Sequence, residues 1–302
     1  MNFLTKMLFG LQQLSFAHSA RKYIRDDRAV VYSRDPFSLH GLLKSNYKIY
    51  WEVHNFPQNI KSGFYKRILG RIDGLLTITT GLKKDLEEHY DGDILVVPDA
   101  VDLDEFDIDI SKTEARKKVD LPAGGNVVTY VGHLYPWKGV DVLAKSIKFI
   151  QEDALVVIVG GLKGDRNRIK KHISQEDLKR FVFKDYVTHD KVPFYLKASD
   201  CLVLTGKEAA PIAKQYTSPL KVFEYMASKK PIVAQSLPSF REILDTDNSV
   251  LVKPGDPRDL ARGINQVLNE SNVVDKITTN AFNDVQQHTW KKRAKKIIQF
   301  IK

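Results

Sequence analysis

Short runs that are apolar from end to end, each followed by a helical pattern, constrain this chain more than any other feature. They read NVVTYVGH (126–133), ALVVIVGG (154–161), FVFKDYV (181–187), CLVLTG (201–206), PIVAQS (231–236) and SVLVKPG (249–255). A strand that is apolar at successive rather than alternate positions is buried on both faces, the situation of a parallel sheet covered by helices. DRAVVYS (27–33), YKIYWEVH (47–54), GLLTITT (74–80) and DILVVPD (93–99) repeat the pattern upstream, with a helix over GLKKDLEEHY, and a basic helix is expected near Arg166 to Lys179. Between the two series lies DIDISKTEARKKVDLPAGGN, charged and closing on Pro122, Gly124 and Gly125, a composition typical of a domain boundary. The expected class is α/β, two doubly wound domains in series, divided as 1–110 and 111–285 with a last segment 286–302, the second domain being the more complete.

Composition narrows the partners. Lys and Arg number 47 against 37 acids, and the formal charge of +10 favours an anionic partner: nucleic acid, membrane headgroups or a phosphorylated small molecule. The basic residues are scattered and no aromatic stacking platform is evident, so nucleic acid ranks last. The single cysteine, Cys201, sits in an apolar run and reads as a core residue, which excludes a disulfide framework and fits a reducing, cytoplasmic setting. At the start, Leu4, Met7, Leu8, Leu11 and Leu14 recur at helical spacing, but Lys6, Gln12 and Gln13 interrupt too early for a membrane span. That helix either lies on a sheet or touches a membrane peripherally, at its inner face.

Open parallel sheets bind ligands at the carboxyl ends of their strands. In VGHLYPWKGVDVL the strand closes at Gly132 and His133, and Lys138 with Gly139 opens the next helix, where free N–H groups suit a phosphate. The alternative is a solvated lysine beside a turn glycine. In TSPLKVFEYMASKKPIVA, Ser218 is expected to cap a helix beginning at Pro219, leaving the N–H groups of Leu220 and Lys221 as an anion seat. Glu224 follows one turn later, about 6 Å along the axis, and leans back toward that seat, within reach of a ribose diol. Otherwise it pairs with Lys221 on the surface.

VGHLYPWKGVDVL, TSPLKVFEYMASKKPIVAQSLPSFREIL, the strand exit VVPDAVDLDEF and the tail HTWKKRAKKIIQFIK together resemble, in order and spacing over most of the chain, the retaining GT-B glycosyltransferases often called family 4. The resemblance implies two Rossmann-like domains facing a cleft and transfer of a sugar from a nucleotide diphosphate donor, UDP- or GDP-linked, to a glycan, glycolipid or polysaccharide acceptor, without metal or cofactor. The second domain would hold the donor, and the last helix would return to the first. Lys138 matches the diphosphate-binding lysine and Glu224 the ribose-binding glutamate. Leu220 and Lys221 would supply amides, and Gly132, His133, Ser218, Pro219 and Val187 would complete the donor side, with the base near Tyr186, Val187 and His189. His54, in WEVHNFPQ, resembles the histidine facing the transferred sugar. Arg34 and Asp35 are acceptor-side candidates, although Ser33 and Asp35 also read as helix caps. The acids of DLD (102–104) and DID (107–109) are read as loop and cap residues.

Three departures stand out. Tyr216 occupies the position of a glutamate that the resemblance places eight residues before Glu224, and His133 stands where an arginine accompanies the lysine. The chain also begins about where a third helix would lie, so the acceptor domain is expected to be truncated, either minimal or completed by a second polypeptide. A non-catalytic nucleotide-sugar-binding subunit served by such a partner is the second reading.

Overall fold

The computed structural model describes residues 3–24, 26, 28–44 and 46–301, with backbone alone for 3–6. The chain divides into two compact units, one running to Pro98 and resuming at Ala294, the other Asp99–Arg293. Both are α/β.

Among the described residues the first unit has four parallel strands, β1 (Val30–Ser33), β2 (Lys48–Val53), β3 (Gly74–Thr77) and β4 (Ile94–Val96), in that spatial order. Helices Pro36–Leu42, Gly63–Leu69 and Thr80–Glu87 make the crossovers that parallel pairing requires. Thr79 starts the third of these, its hydroxyl accepting the Leu82 N–H at 3.1 Å. Ile297 and Phe300, from the end of the helix Trp290–Phe300, pack with Tyr50, Leu76 and Val97. The helix Phe3–Tyr23 lies against Pro36–Leu42, with Ala17 buried close to Gly41. Leu8, Leu11 and Phe16 remain 55%, 56% and 62% exposed. No described helix is long and apolar enough to cross a membrane.

The second unit has six parallel strands: β5 (Asn126–Val131), β6 (Ala154–Val159), β7 (Phe181–Lys184), β8 (Cys201–Leu204), β9 (Ile232–Gln235) and β10 (Val250–Val252), ordered β10-β9-β8-β5-β6-β7. Side chains alternate across the sheet. Leu202 and Leu204 join one apolar layer with Phe223 and Met226, while Cys201 and Val203 join the other with Leu143 and Leu260. Burial drives the Cys201 thiol pKa far up, as befits a packing residue. The chain builds β6 and β7 on one side of β5, then crosses to build β8, β9 and β10 on the other. The order therefore reverses between β5 and β8, where doubly wound sheets open a crevice for ligands.

Two expectations shift. The break between units falls at Pro98/Asp99, not near 110, because Val101, Leu103 and Phe106 pack into the second unit's core. Asp102 caps the short helix Leu103–Phe106, accepting the Asp104 N–H. The basic helix spans Lys163–Lys170, and a separate 3-10 turn covers Asp177–Arg180. Ser174 divides them: its hydroxyl takes the Asp177 N–H at 3.0 Å and donates to the Asp177 carboxylate at 2.6 Å, a local pattern that competes with helix continuation.

Candidate functional site

β5 ends at Val131, and the backbone turns through Gly132 (φ +131°) and a 3-10 turn at Pro136–Lys138 before Gly139 (φ +67°) starts the helix Val140–Ser146. Both φ values lie where a side chain is strained. Neighbouring loops hold Lys138 in place. Its carbonyl accepts from the Thr205 hydroxyl at 2.7 Å, and the Trp137 carbonyl from the Lys207 N–H at 2.9 Å. The ammonium lies 3.9 Å from the Trp137 ring centroid, and burial lowers its pKa to about 8. His133 is exposed and stacks on Tyr135, with centroids 5.0 Å apart.

The helix Leu220–Ala227 starts one residue later than the sequence implied. Pro219 takes the cap position with extended backbone (φ −75°, ψ 122°), and the Ser218 hydroxyl accepts the Asp99 N–H at 3.0 Å instead of capping. Ser218 therefore supports the loop from beneath and does not line the pocket. The anion seat survives this change. Val222 N–H bonds the Pro219 carbonyl at 2.9 Å, while the N–H groups of Leu220 and Lys221 have no acceptor among the described residues.

Lys221 and Glu224 are each only 9% exposed, so the surface ion pair between them does not form. The Lys221 ammonium lies 3.8 Å from the Tyr130 ring centroid. Glu224 instead faces His189, whose Nε2 is 3.1 Å from its Oε1 and whose Nδ1 is 2.8 Å from Glu105 Oε1. Burial raises the Glu224 pKa, with His189 pulling the other way. The Lys221 pKa is driven well below the usual lysine value by burial and by the Lys138 charge, with Glu224 opposing.

These groups line one cavity of about 350 Å³. Gly132, His133 and Lys138 enter it after β5, Val187 and His189 after β7, and Pro219, Leu220, Lys221 and Glu224 after β8. Every donor-side residue named from the sequence except Ser218 thus converges at the sheet's switch point. The reading missed the buried Lys221 side chain, having named only its amide, and it missed Glu105. Glu105 belongs to a short helix far away in sequence, and no local signal ties it to His189.

In the first unit, His54 Nδ1 is 3.1 Å from Arg34 Nη2, and its Nε2 bonds the Glu52 carboxylate. A guanidinium can only donate, so Nδ1 accepts and Nε2–H donates to Glu52. Glu52, 2% exposed, was overlooked, although a residue two before His54 on a strand points to the same side. Asp35 is committed to a cap: its Oδ2 accepts the Ser38 N–H at 2.6 Å at the start of Pro36–Leu42. Asp107 pairs with Lys229 at 2.7 Å, and no three His, Cys, Asp or Glu side chains gather as a metal site among the described residues.

Residues 111–284, more than half the chain, match the family described as Glycosyl transferases group 1. The chain belongs to this family. Among curated relatives, an uncharacterized glycosyltransferase of Methanocaldococcus jannaschii is 24% identical over 250 residues, covering 79% of this chain and 62% of the relative. The putative teichuronic acid biosynthesis glycosyltransferase TuaC of Bacillus subtilis is 24% identical over 238 residues, covering 78% and 57%. The chain thus spans about three fifths of the length of these relatives. Among solved structures, Anabaena HepE in complex with UDP superposes with a TM-score of 0.80 at 17% identity, covering 96% of this chain and 81% of that one. Sucrose-phosphate synthase from Thermosynechococcus elongatus gives 0.78 at 19% identity, covering 94% and 76%. The fold is therefore that of the GT-B glycosyltransferases, with two parallel-sheet α/β units.

Proposed function

We propose that this chain is a retaining, family-4-like glycosyltransferase that moves a sugar from a nucleotide diphosphate donor to a glycan, glycolipid or polysaccharide acceptor. One observation carries the reading: a single pocket presents unbonded helix amides and the Lys138 ammonium on one side and the Glu224 carboxylate one turn further on. The first set matches a diphosphate, the second a ribose diol. The UDP complexes of Anabaena HepE, which shares the fold, support a uridine nucleotide as one candidate.

In this reaction the bond from the anomeric carbon to the diphosphate oxygen breaks, and the acceptor oxygen bonds that carbon on the same face. The acceptor's proton passes to a phosphate oxygen of the departing nucleoside diphosphate. The residues of this chain lower the barrier where charge grows on the leaving group: Lys138 and the Leu220 and Lys221 amides are already oriented toward it. Glu224 anchors the ribose so that the reacting atoms are held in register. In the first unit, the Arg34–His54–Glu52 chain is the proposed acceptor-side group. Peripheral membrane contact through Phe3–Tyr23 is supported by the exposed Leu8, Leu11 and Phe16, and liposome flotation tests it.

Thermal stabilisation by UDP, GDP, ADP and CMP in parallel identifies the base, since stabilisation grows with the logarithm of saturation. NMR of the product then reads the anomeric configuration. Unchanged nucleoside diphosphate affinity in both Lys138→Ala and Glu224→Ala overturns the assignment. Binding without donor consumption, restored by a second protein, would make the chain a binding subunit.

A further inference from the structure

A buried lysine ordinarily has a carboxylate or several carbonyls around its ammonium, because removing that charge from water is expensive unless it is paired. Lys221 has neither. More than nine-tenths of the residue is buried, and its Nζ has no hydrogen-bond partner among the described residues.

The groups facing it offer little compensation. Tyr130 from β5 presents its ring face, 3.8 Å from centroid to Nζ, while its hydroxyl donates to the His133 carbonyl at 2.9 Å. Lys138, on the loop after β5, adds a like charge. Glu224, on the same helix, is engaged by His189, which Glu105 holds from behind. An aliphatic side chain would fill this position without the desolvation cost, so packing alone does not account for a lysine.

Lys221 lines the pocket, and its ammonium is packed under the Gly132 backbone. A Cβ at residue 132 would sit 3.3 Å from Nζ, and the position is glycine. The Lys221 amide at the helix start lacks an acceptor as well, so one residue brings two unsatisfied donors to the same cavity. His133, on the rim of this cavity, is exposed and stacked on Tyr135, and so adds no buried cation.

We propose that the Lys221 ammonium is a second phosphate-binding cation of this pocket, gripping the nucleoside diphosphate from the helix side while Lys138 grips it from the β5 loop. The proposal rests on the reading of the pocket as a diphosphate seat. Bound diphosphate supplies the missing counter-charge and favours the protonated form that burial disfavours, so binding is expected to be linked to proton uptake.

Lys221→Met, similar in length and uncharged, tests this. Titration calorimetry at pH 8 is run with UDP or GDP, whichever stabilises the wild type, with its nucleoside, and with inorganic pyrophosphate, each in two buffers of different ionisation enthalpy. The variant is expected to lose at least tenfold in diphosphate and pyrophosphate affinity and to take up fewer protons on binding. Its nucleoside affinity stays at the wild-type value, and its ligand-free melting temperature is equal or higher. Wild-type affinity with unchanged proton uptake overturns the role of Lys221 and leaves the diphosphate seat standing. Equal losses for nucleoside and diphosphate mark a structural role and also overturn it. If the wild type binds none of these probes, the diphosphate reading itself fails.

Discussion

His189 Nε2 stands 3.1 Å from Glu224 Oε1, and the same ring reaches Glu105 through Nδ1 at 2.8 Å. A neutral imidazole can donate to only one of two carboxylates, so this arrangement favours the doubly protonated ring. Burial works to lower the His189 pKa, but the bonds and charges of Glu224 and Glu105 outweigh it, and the net shift is upward from 6.5. A histidine whose folded pKa is raised contributes stability that is complete below its unfolded value and disappears as pH rises through the folded one. The difference in melting temperature between wild type and His189→Ala should therefore be largest below pH 6.5 and shrink toward pH 9. A difference that does not change over that range would show that the two carboxylates do not hold the ring's proton.

In the proposed function the same pair sets ribose recognition: on nucleotide binding Glu224 would exchange one donor, His189, for the two hydroxyls of the diol. A hydrogen bond to a charged group contributes about 1.5–3 kcal/mol, roughly 10- to 150-fold in affinity. Glu224→Gln should bind the ribonucleoside diphosphate more weakly by about that factor. Its preference over the 2′-deoxy analogue should vanish, whereas the wild type prefers the ribonucleotide. Competition binding with both ligands decides it, and a preference retained in Glu224→Gln removes Glu224 from the ribose.

Gly139 makes the β5 loop what it is. Its φ of +67° suits glycine, and a Cβ there would lie 3.0 Å from the backbone carbon of Gly206. Left-handed backbone costs about 1–2 kcal/mol for an L side chain, and the neighbouring backbone must also shift. Gly139→Ala should lower the melting temperature of the second unit by roughly 2–8 °C, at the 2–4 °C per kcal/mol usual for a unit of this size. Diphosphate affinity should fall with it, because Lys138 is the adjacent residue. Calorimetry with and without nucleotide separates the two effects, and an unchanged melting temperature contradicts the geometry.

Much of this was legible in the sequence. Apolar runs such as ALVVIVGG, buried on both faces, leave little choice but a central parallel strand, and the ten strand positions followed from runs of this kind even where, as at Val30–Ser33 on the sheet edge, the strand is partly exposed. Lys138 and Glu224 were legible because strand exits and helix starts place them without knowledge of distant contacts. What was hidden depended on partners remote in sequence. Ser218 reads as a cap until Asp99, 119 positions away, takes its hydroxyl. Lys221 reads as an exposed lysine until Tyr130 and Lys138 close over it, and Leu103 and Phe106 read as the end of the first domain until they meet the second unit's core.

Arg116 fixes the opposite end of the second sheet, near the start of β5. It is 1% exposed, and its guanidinium donates to the Ala198 carbonyl at 3.0 Å and the Ala123 carbonyl at 2.9 Å while pairing with Asp200. Asp200 also accepts the Val127 N–H at 2.8 Å, tying the loop before β8 to β5. Removing the guanidinium leaves the Ala198 and Ala123 carbonyls without that donor and Asp200 with only the Val127 N–H and Lys112, and breaking a buried pair costs up to about 3–5 kcal/mol. Arg116→Met should therefore be strongly destabilised in urea, and Arg116→Met with Asp200→Asn should lose less than the sum of the single changes, since the two share one network. Nucleotide affinity of the folded fraction should be unchanged, because the pocket lies at the carboxyl ends of the strands. Losses under about 1 kcal/mol, or strict additivity, would mean that the guanidinium is not what joins the helix Lys112–Lys118 to the sheet.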